Sequence, residues 1–205
     1  MSIEELDVEL DDQTPLDENI SRWLISSQQR IQQFWDQFPQ KPLSQYVECD
    51  FDWLARGLKH CIDHRLNDGQ LFVEWGCGFG VVTGIASLLG LEAIGIEAEQ
   101  FLADEATILL NKNQIQAEIW CGNFLPSGAN RLSVDDDPIV SLSHRCASAY
   151  DDHQMSLDDF AIVYAYPWPG EEHFLKLVFS RYARPRAILL LYRGPFQLEI
   201  YRKNA

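Results

Sequence analysis

Apolar positions along the chain change their period, and the changes mark its elements. From Ile20 to Phe38 the residues Ile20, Trp23, Leu24, Ile31, Phe34 and Trp35 recur at helical spacing and stop before Pro39, which predicts an amphipathic helix. Asp50 then stands as an N-cap ahead of Phe51, Leu54, Leu58 and Ile62, one face of a second helix. The punctuation "NDG" follows. Beyond it, strand and helix patterns alternate: "LFVEW", the helix "VVTGIASLLG" closed by Gly90, "EAIGIE", the helix "EQFLADEATILLNKN", the strands "AEIWCGNF" and "DDFAIVYAY", the helix "EEHFLKLVFSRYA", and the buried strand "RAILLLYR". This β-α-β-α order predicts an α/β fold with a mostly parallel sheet and helices on both faces. Only "GPFQLEIYRK" remains, one antiparallel strand joined through a Gly-Pro connection, and no internal repeat is visible.

Two segments escape the periodicity. Residues 1–18 hold eight acids, no base and Pro15, and read as a flexible acidic tail. Residues 126–158 are rich in Ser and Asp, and an insertion loop of that length inside a compact domain is usually functional or disordered. The organisation is therefore the tail, N-terminal helices over 19–66, and a core over 67–205 that carries the loop.

Composition narrows the class. A chain of 205 residues with 46% apolar content suits one buried core, so a single globular domain is expected. No uninterrupted apolar run reaches the roughly 18 residues of a membrane span, and "MSIEELDVEL" lacks the features of a signal peptide. A soluble cytoplasmic protein without membrane contact is expected. Five scattered cysteines without a C-x-x-C pair read as reduced thiols, with neither a disulfide framework nor a zinc site. A net charge of -15 argues against a general nucleic-acid surface, although the chain after Gly170 is locally basic and leaves room for a local RNA contact.

The chemistry concentrates in "FVEWGCGFG", residues 72–80, a glycine loop at the carboxyl end of the first core strand. Ligands of open α/β sheets bind there. A phosphate-binding loop needs G-x-x-x-x-G-K-[ST], and no lysine follows these glycines. A dinucleotide fingerprint needs G-x-G-x-x-G, whereas Gly76, Gly78 and Gly80 give G-x-G-x-G. Glu74 would repel a pyrophosphate but suits a ligand with ammonium and sulfonium charges, namely S-adenosylmethionine. Glu97 ends the next strand, where a carboxylate accepts ribose hydroxyls in either a nicotinamide or an S-adenosylmethionine enzyme. Asn123 and Phe124 follow the third strand, where a side-chain amide and a backbone N–H suit an adenine edge.

These motifs resemble the class I S-adenosylmethionine-dependent methyltransferases. "VEWGCGFG" is similar to their first motif, "IGIE" to their second, "CGNF" to the adenine-contacting turn and "AIVYAYPWPGEE" to the fourth-strand motif beside the methyl group. The resemblance covers about residues 46–194, and "YVECDFDWL" is similar to the segment that closes over the cofactor in many members. It implies a Rossmann-like, doubly wound sheet and S-adenosylmethionine held by Glu74, Gly76, Cys77, Gly78, Gly80, Glu97, Asn123 and Phe124. The chain looks like a bacterial branch with an unassigned substrate. Two departures stand out: Glu74 replaces the usual aspartate, and the usual helix and strand hairpin after the fifth strand are reduced to one strand.

Amino-methylating members often carry Asn/Asp-Pro-Pro-Tyr/Phe after the fourth strand. Here "AYPWPGEE" places Ala165 where the polar anchor would stand, so nucleobase methylation loses that anchor. What remains is an aromatic wall of Tyr164, Tyr166 and Trp168 with Glu171 and Glu172 beyond it, which suits a cationic amine, small or on a protein lysine. Trp168 is expected to line the acceptor channel, Tyr166 to form its wall and Glu171 to meet the substrate. The plain alternative is that both glutamates complement a helix dipole. Other functions stay open: a cofactor-binding interaction protein that docks a partner through its acidic tail and N-terminal helix, or a nicotinamide-dependent oxidoreductase. His60 and His64 lack a visible third metal ligand, Cys77 and Cys121 read as small fillers, and Asp135–Asp137 read as a solvated loop.

Overall fold

The computed structural model describes residues 2–11, 13–38, 49–132 and 147–205. Its strands are β1 (Ile3–Glu5), β2 (Leu71–Trp75), β3 (Glu92–Glu97), β4 (Ala117–Cys121), β5 (Ile162–Ala165), β6 (Ile188–Gly194) and β7 (Gln197–Lys203). They form one sheet in the order β1-β7-β6-β5-β2-β3-β4. Strands β2 to β6 pair in parallel, and β7 returns antiparallel on β6. The order reverses beside β2, whose neighbours are β3 and β5, so the switch-point crevice of the fold opens at the carboxyl end of β2.

Strand alternation divides the core into two layers. Phe72, Ile162, Tyr164, Leu190, Tyr192 and Ile200 face α1 (Glu18–Gln37), α2 (Phe51–Asp63), α3 (Val81–Leu88) and α4 (Gln100–Lys112). Val73, Trp75, Val163, Ala165, Leu189, Leu191 and Tyr201 face α5 (Ala149–Asp152) and α6 (Glu172–Tyr182). Helix α3 is buried from Val81 to Ala86 because α1 covers its outer side. There the Trp23 indole N–H donates to the Val81 carbonyl at 2.9 Å, and a Cβ on Gly84 would lie 2.5 Å from the Trp23 ring.

The N-terminal segment departs from the expected flexible tail. Ile3–Glu5 pair antiparallel with Tyr201–Lys203, and the Leu6 N–H donates to the Ile200 carbonyl at 2.8 Å. Further along, Arg56 donates to the Asp11 and Thr14 carbonyls, each at 2.7 Å. A three-residue strand is too short to show a period, and its pairing is set by the backbone edge that β7 offers, which no local pattern encodes. Thus the seventh strand comes from the N-terminus, while the reduced C-terminal hairpin supplies β7 alone. Deleting residues 1–11 is expected to bare β7, lower the melting temperature by several degrees and cause concentration-dependent association, read by thermal melts at two concentrations. Unchanged melting would show that β1 adds nothing to the fold.

The second helix starts where the sequence places it. The Asp50 carboxylate accepts the Trp53 N–H at 3.0 Å and caps α2. Most of the loop centre, including Asp135–Asp137, lies outside the described residues. No helix among the described residues is long and apolar enough to cross a membrane.

Candidate active site

The glycine loop turns from β2 into α3 with three residues in the left-handed region, Gly76 at φ 72°, Gly78 at 54° and Gly80 at 70°. Only glycine adopts this conformation without Cβ strain. The Gly76 and Cys77 N–H groups donate to the Ile96 carbonyl at 2.9 and 3.0 Å, which ties the loop to the end of β3. A Cβ on Gly76 would meet nothing within 4 Å, so the backbone there is bare toward the crevice. Gly80 differs: its Cβ would lie 3.2 Å from Ala106 and 3.3 Å from Ile119, so it serves close packing of the loop against α4 and β4.

The two acids sit at adjacent strand ends and are both buried. Glu97 accepts the Gly78 N–H on Oε2 at 2.8 Å and the Glu99 N–H on Oε1 at 3.0 Å. Burial raises its pKa, and the backbone donors oppose that rise. Glu74 accepts from the Thr83 N–H at 2.7 Å and the Thr83 hydroxyl at 2.5 Å, both on Oε2. Its burial pushes the carboxyl up to about 8, against the pull of the Thr83 donors. No sequence motif marks Thr83, although its place in the first turn of α3, nine residues past Glu74, is one where helix N–H groups need partners.

Other loop residues shape the site from below. Cys77 is a packing residue: its thiol is buried against Gly95, where a Cβ would lie 2.8 Å from Sγ. Asn123 Oδ1 accepts the Leu125 N–H at 2.9 Å, and its backbone bridges to Ala147 and Ala149. Phe124 stacks on Trp75 with centroids 5.3 Å apart and planes 13° apart, and the Trp75 indole N–H donates to the Tyr150 hydroxyl at 2.8 Å. This stack walls the α5 side of the crevice. Cys121 is exposed at the end of β4.

The carboxyl ends of β5 and β6 carry tyrosines toward α2. Tyr164 pairs in register with Glu74, and its hydroxyl donates to Cys49 Sγ at 3.7 Å. Tyr192 accepts the Asp50 N–H at 2.9 Å, and its ring meets Tyr166 edge to face at 4.9 Å. Residues Cys49 and Asp50, in the middle of the segment similar to a cofactor-closing element, thus rest on these two strands, while Tyr46 to Glu48 lie outside the described residues. Ala165 is turned to the opposite layer.

Beyond β5, the Trp168 N–H donates to Glu171 Oε2 at 3.0 Å. Glu171 Oε1 is buried without a hydrogen-bond partner, and burial raises the pKa of the group. Glu171 does not cap the first turn of α6 with its side chain, whereas Glu172 pairs with Arg193. The two neighbours therefore do different things. His60 and His64 stack at 4.0 Å, and no group of His, Cys, Asp and Glu among the described residues could hold a metal.

No protein-family model matches the chain, and no curated protein is significantly similar to it. Solved structures do match. An O-methyltransferase from Bacillus cereus in complex with SAH superposes with a TM-score of 0.53 at 11% identity, over 88% of this chain and 68% of that one. A putative O-methyltransferase from Klebsiella pneumoniae gives 0.47 at 16%, over 87% and 66% of the chains. The Thermus thermophilus 16S rRNA N2 G1207 methyltransferase, in complex with AdoMet and guanosine, gives 0.46 at 15%, over 80% and 45%. Together with the strand order, the first of these places the chain in the Rossmann-like methyltransferase fold.

Proposed function

We propose that the protein is an S-adenosylmethionine-dependent methyltransferase whose cofactor lies across the glycine loop. The observation that carries this reading is the pairing of bare Gly76 with the buried Glu97 carboxylate, already aimed at the loop through the Gly78 N–H. Gly76, Gly78 and Glu97 would hold the cofactor, with Glu74 supplying negative charge beneath its ammonium and Asn123 and Phe124 beside its adenine. When bound, the cofactor supplies a sulfonium methyl group for transfer to a nucleophile. The Bacillus cereus structure, which holds SAH, supports the choice.

The acceptor side is read as an amine site. Tyr166 and Trp168 wall it, and Glu171, with one buried oxygen unpartnered, is the group placed to take an ammonium or the proton it loses. A polyanionic acceptor fits poorly, because most of the bases after Gly170 are matched with acids: Lys176 with Glu199 at 3.0 Å, Arg184 and Arg186 with Asp68 at 3.6 and 3.8 Å, Arg193 with Glu172, and Arg202 with Glu4 at 3.8 Å. The partner-docking alternative loses ground, since the acidic segment is engaged by β7 and Arg56 of its own fold.

Calorimetric titration with S-adenosylmethionine, S-adenosylhomocysteine and NAD tests the cofactor. The two sulfur compounds are expected to saturate and NAD not to bind, and Glu97→Ala is expected to weaken the former about 10- to 100-fold by removing charge-assisted hydrogen bonds. Binding of NAD alone would make the protein a nicotinamide-binding one. Methyl transfer to an amine panel, retained cofactor binding and lost transfer in Glu171→Gln would support the acceptor assignment; equal transfer by the variant would remove Glu171 from it.

A further inference from the structure

Two anomalies meet where α2 rests on the β6–β7 hairpin, and neither is needed for the fold. Phe196 forms the tip of the β6–β7 hairpin directly after Pro195, at φ 60° and 72% exposed. The second central position of a turn that begins with proline and needs positive φ normally takes glycine or asparagine. A bulky ring held there is strained locally and gains little burial. Beneath it, the Trp53 indole N–H is buried without a hydrogen-bond partner. The two rings meet edge to face at 5.6 Å and 79°.

Their surroundings connect this pair to the active site. Trp53 lies in the first turn of α2, and its backbone N–H is held by Asp50, whose own N–H donates to Tyr192. Tyr192 in turn meets Tyr166, so aromatic rings line the path from the hairpin tip to the end of β5. Gly57, one turn further along α2, lets the helix settle on Leu198 of β7, where a Cβ would clash with that side chain at 2.1 Å. The position of Trp53 over the hairpin is therefore fixed by packing on both sides.

We propose that Trp53 and Phe196 form an acceptor clamp for a flat aromatic compound bearing an oxygen acceptor, with the ring seated between the two side chains and its oxygen on the Trp53 indole N–H. The proposal rests on the methyltransferase reading for its location and adds the substrate class. Seated there, an aromatic ring meets both Trp53 and Phe196 and satisfies the unpartnered donor, while a saturated ring of similar size does only part of this.

The test uses the full chain saturated with S-adenosylhomocysteine and follows its indole N–H resonances by NMR, with Trp53→Phe assigning one of the six. Probes are matched pairs: tyramine and 2-cyclohexylethylamine, phenol and cyclohexanol, benzoate and cyclohexanecarboxylate. The aromatic member of at least one pair is expected to move the Trp53 resonance and to bind about tenfold more tightly than its partner, a difference of about 1.4 kcal/mol. Phe196→Gly is expected to abolish that preference while raising the melting temperature, since glycine relieves the backbone. A merely structural Phe196 would not give this opposition. A Trp53 resonance unmoved by every aromatic probe at millimolar concentration, or a preference surviving Phe196→Gly, would overturn the clamp. Failure of S-adenosylhomocysteine to bind would count against the methyltransferase reading instead, and the same resonance, followed without it, would still decide the clamp.

Discussion

Gly95→Ala is expected to cost the folded state about 2–4 kcal/mol and to abolish cofactor binding. Gly95 sits in the middle of β3, where its Cβ would lie 2.6 Å from the Thr83 hydroxyl, 2.8 Å from Cys77 Sγ and 2.9 Å from Cys77 Cβ. Neither neighbour has room to yield. Thr83 is fully buried and bonded twice to Glu74, and the Cys77 backbone is pinned to Ile96. Relieving the clash requires moving the glycine loop or breaking the Glu74 contact, and the second leaves a buried carboxyl without its donors. Thermal melting should fall by roughly 2–4 °C per kcal/mol for a chain of this size, with S-adenosylhomocysteine titrated in parallel. Gly90→Ala is the control: at φ 88° it is strained, yet its Cβ would meet nothing within 4 Å, so it should lose about 1 kcal/mol and keep ligand affinity. Normal binding by Gly95→Ala would show that the loop is not braced by β3.

The order of strands and helices was legible in the sequence because each element is long enough for its period to show. Helix α1 buries Ile20, Trp23, Leu24, Ile31 and Phe34, the residues its spacing marks, and the loop glycines stand at the switch point where β2 ends. What stayed hidden depends on contacts distant in the chain. β1 is three residues of acidic sequence that gain strand geometry only from the edge of β7. Trp53 and Phe196 are separated in sequence by strands β2 to β6 and meet only because α2 settles over the hairpin. The fourth-strand motif was legible as an aromatic run, but strand alternation sends Tyr164 to one layer and Ala165 to the other, so the two never share a wall. Cys77 and Asn123 were legible as loop residues; that the first faces Gly95 and the second folds onto its own turn follows from packing and backbone geometry that a motif does not carry.

Glu74→Gln is expected to move stability and cofactor affinity in opposite directions, and both with pH. A carboxyl that titrates near 8 in the fold and near 4.5 as an ordinary glutamate is held neutral by burial over that range, whereas the unfolded chain ionises freely. Its contribution to stability is therefore fully present below about pH 4.5 and is lost progressively as pH rises toward 8. At about 1.4 kcal/mol per pH unit the loss reaches a few kcal/mol by pH 8. Glutamine keeps an acceptor for Thr83 and cannot ionise, so the variant should melt above the wild type at pH 8.5 and close to it at pH 5. Binding follows the other sign. A ligand ammonium favours the ionised carboxylate, so wild-type affinity for S-adenosylmethionine should rise as pH increases through 8, with a proton released on binding that buffers of different ionisation enthalpy reveal in calorimetry. In Glu74→Gln that rise should shrink and affinity should fall about tenfold at pH 8.5. A variant both less stable and equally tight at high pH would show that Glu74 works only as a bracket for α3, with the cofactor charge met elsewhere. The combination expected here, a protein made more stable and less able to bind, is the mark of a buried acid kept for its ligand at the expense of its fold.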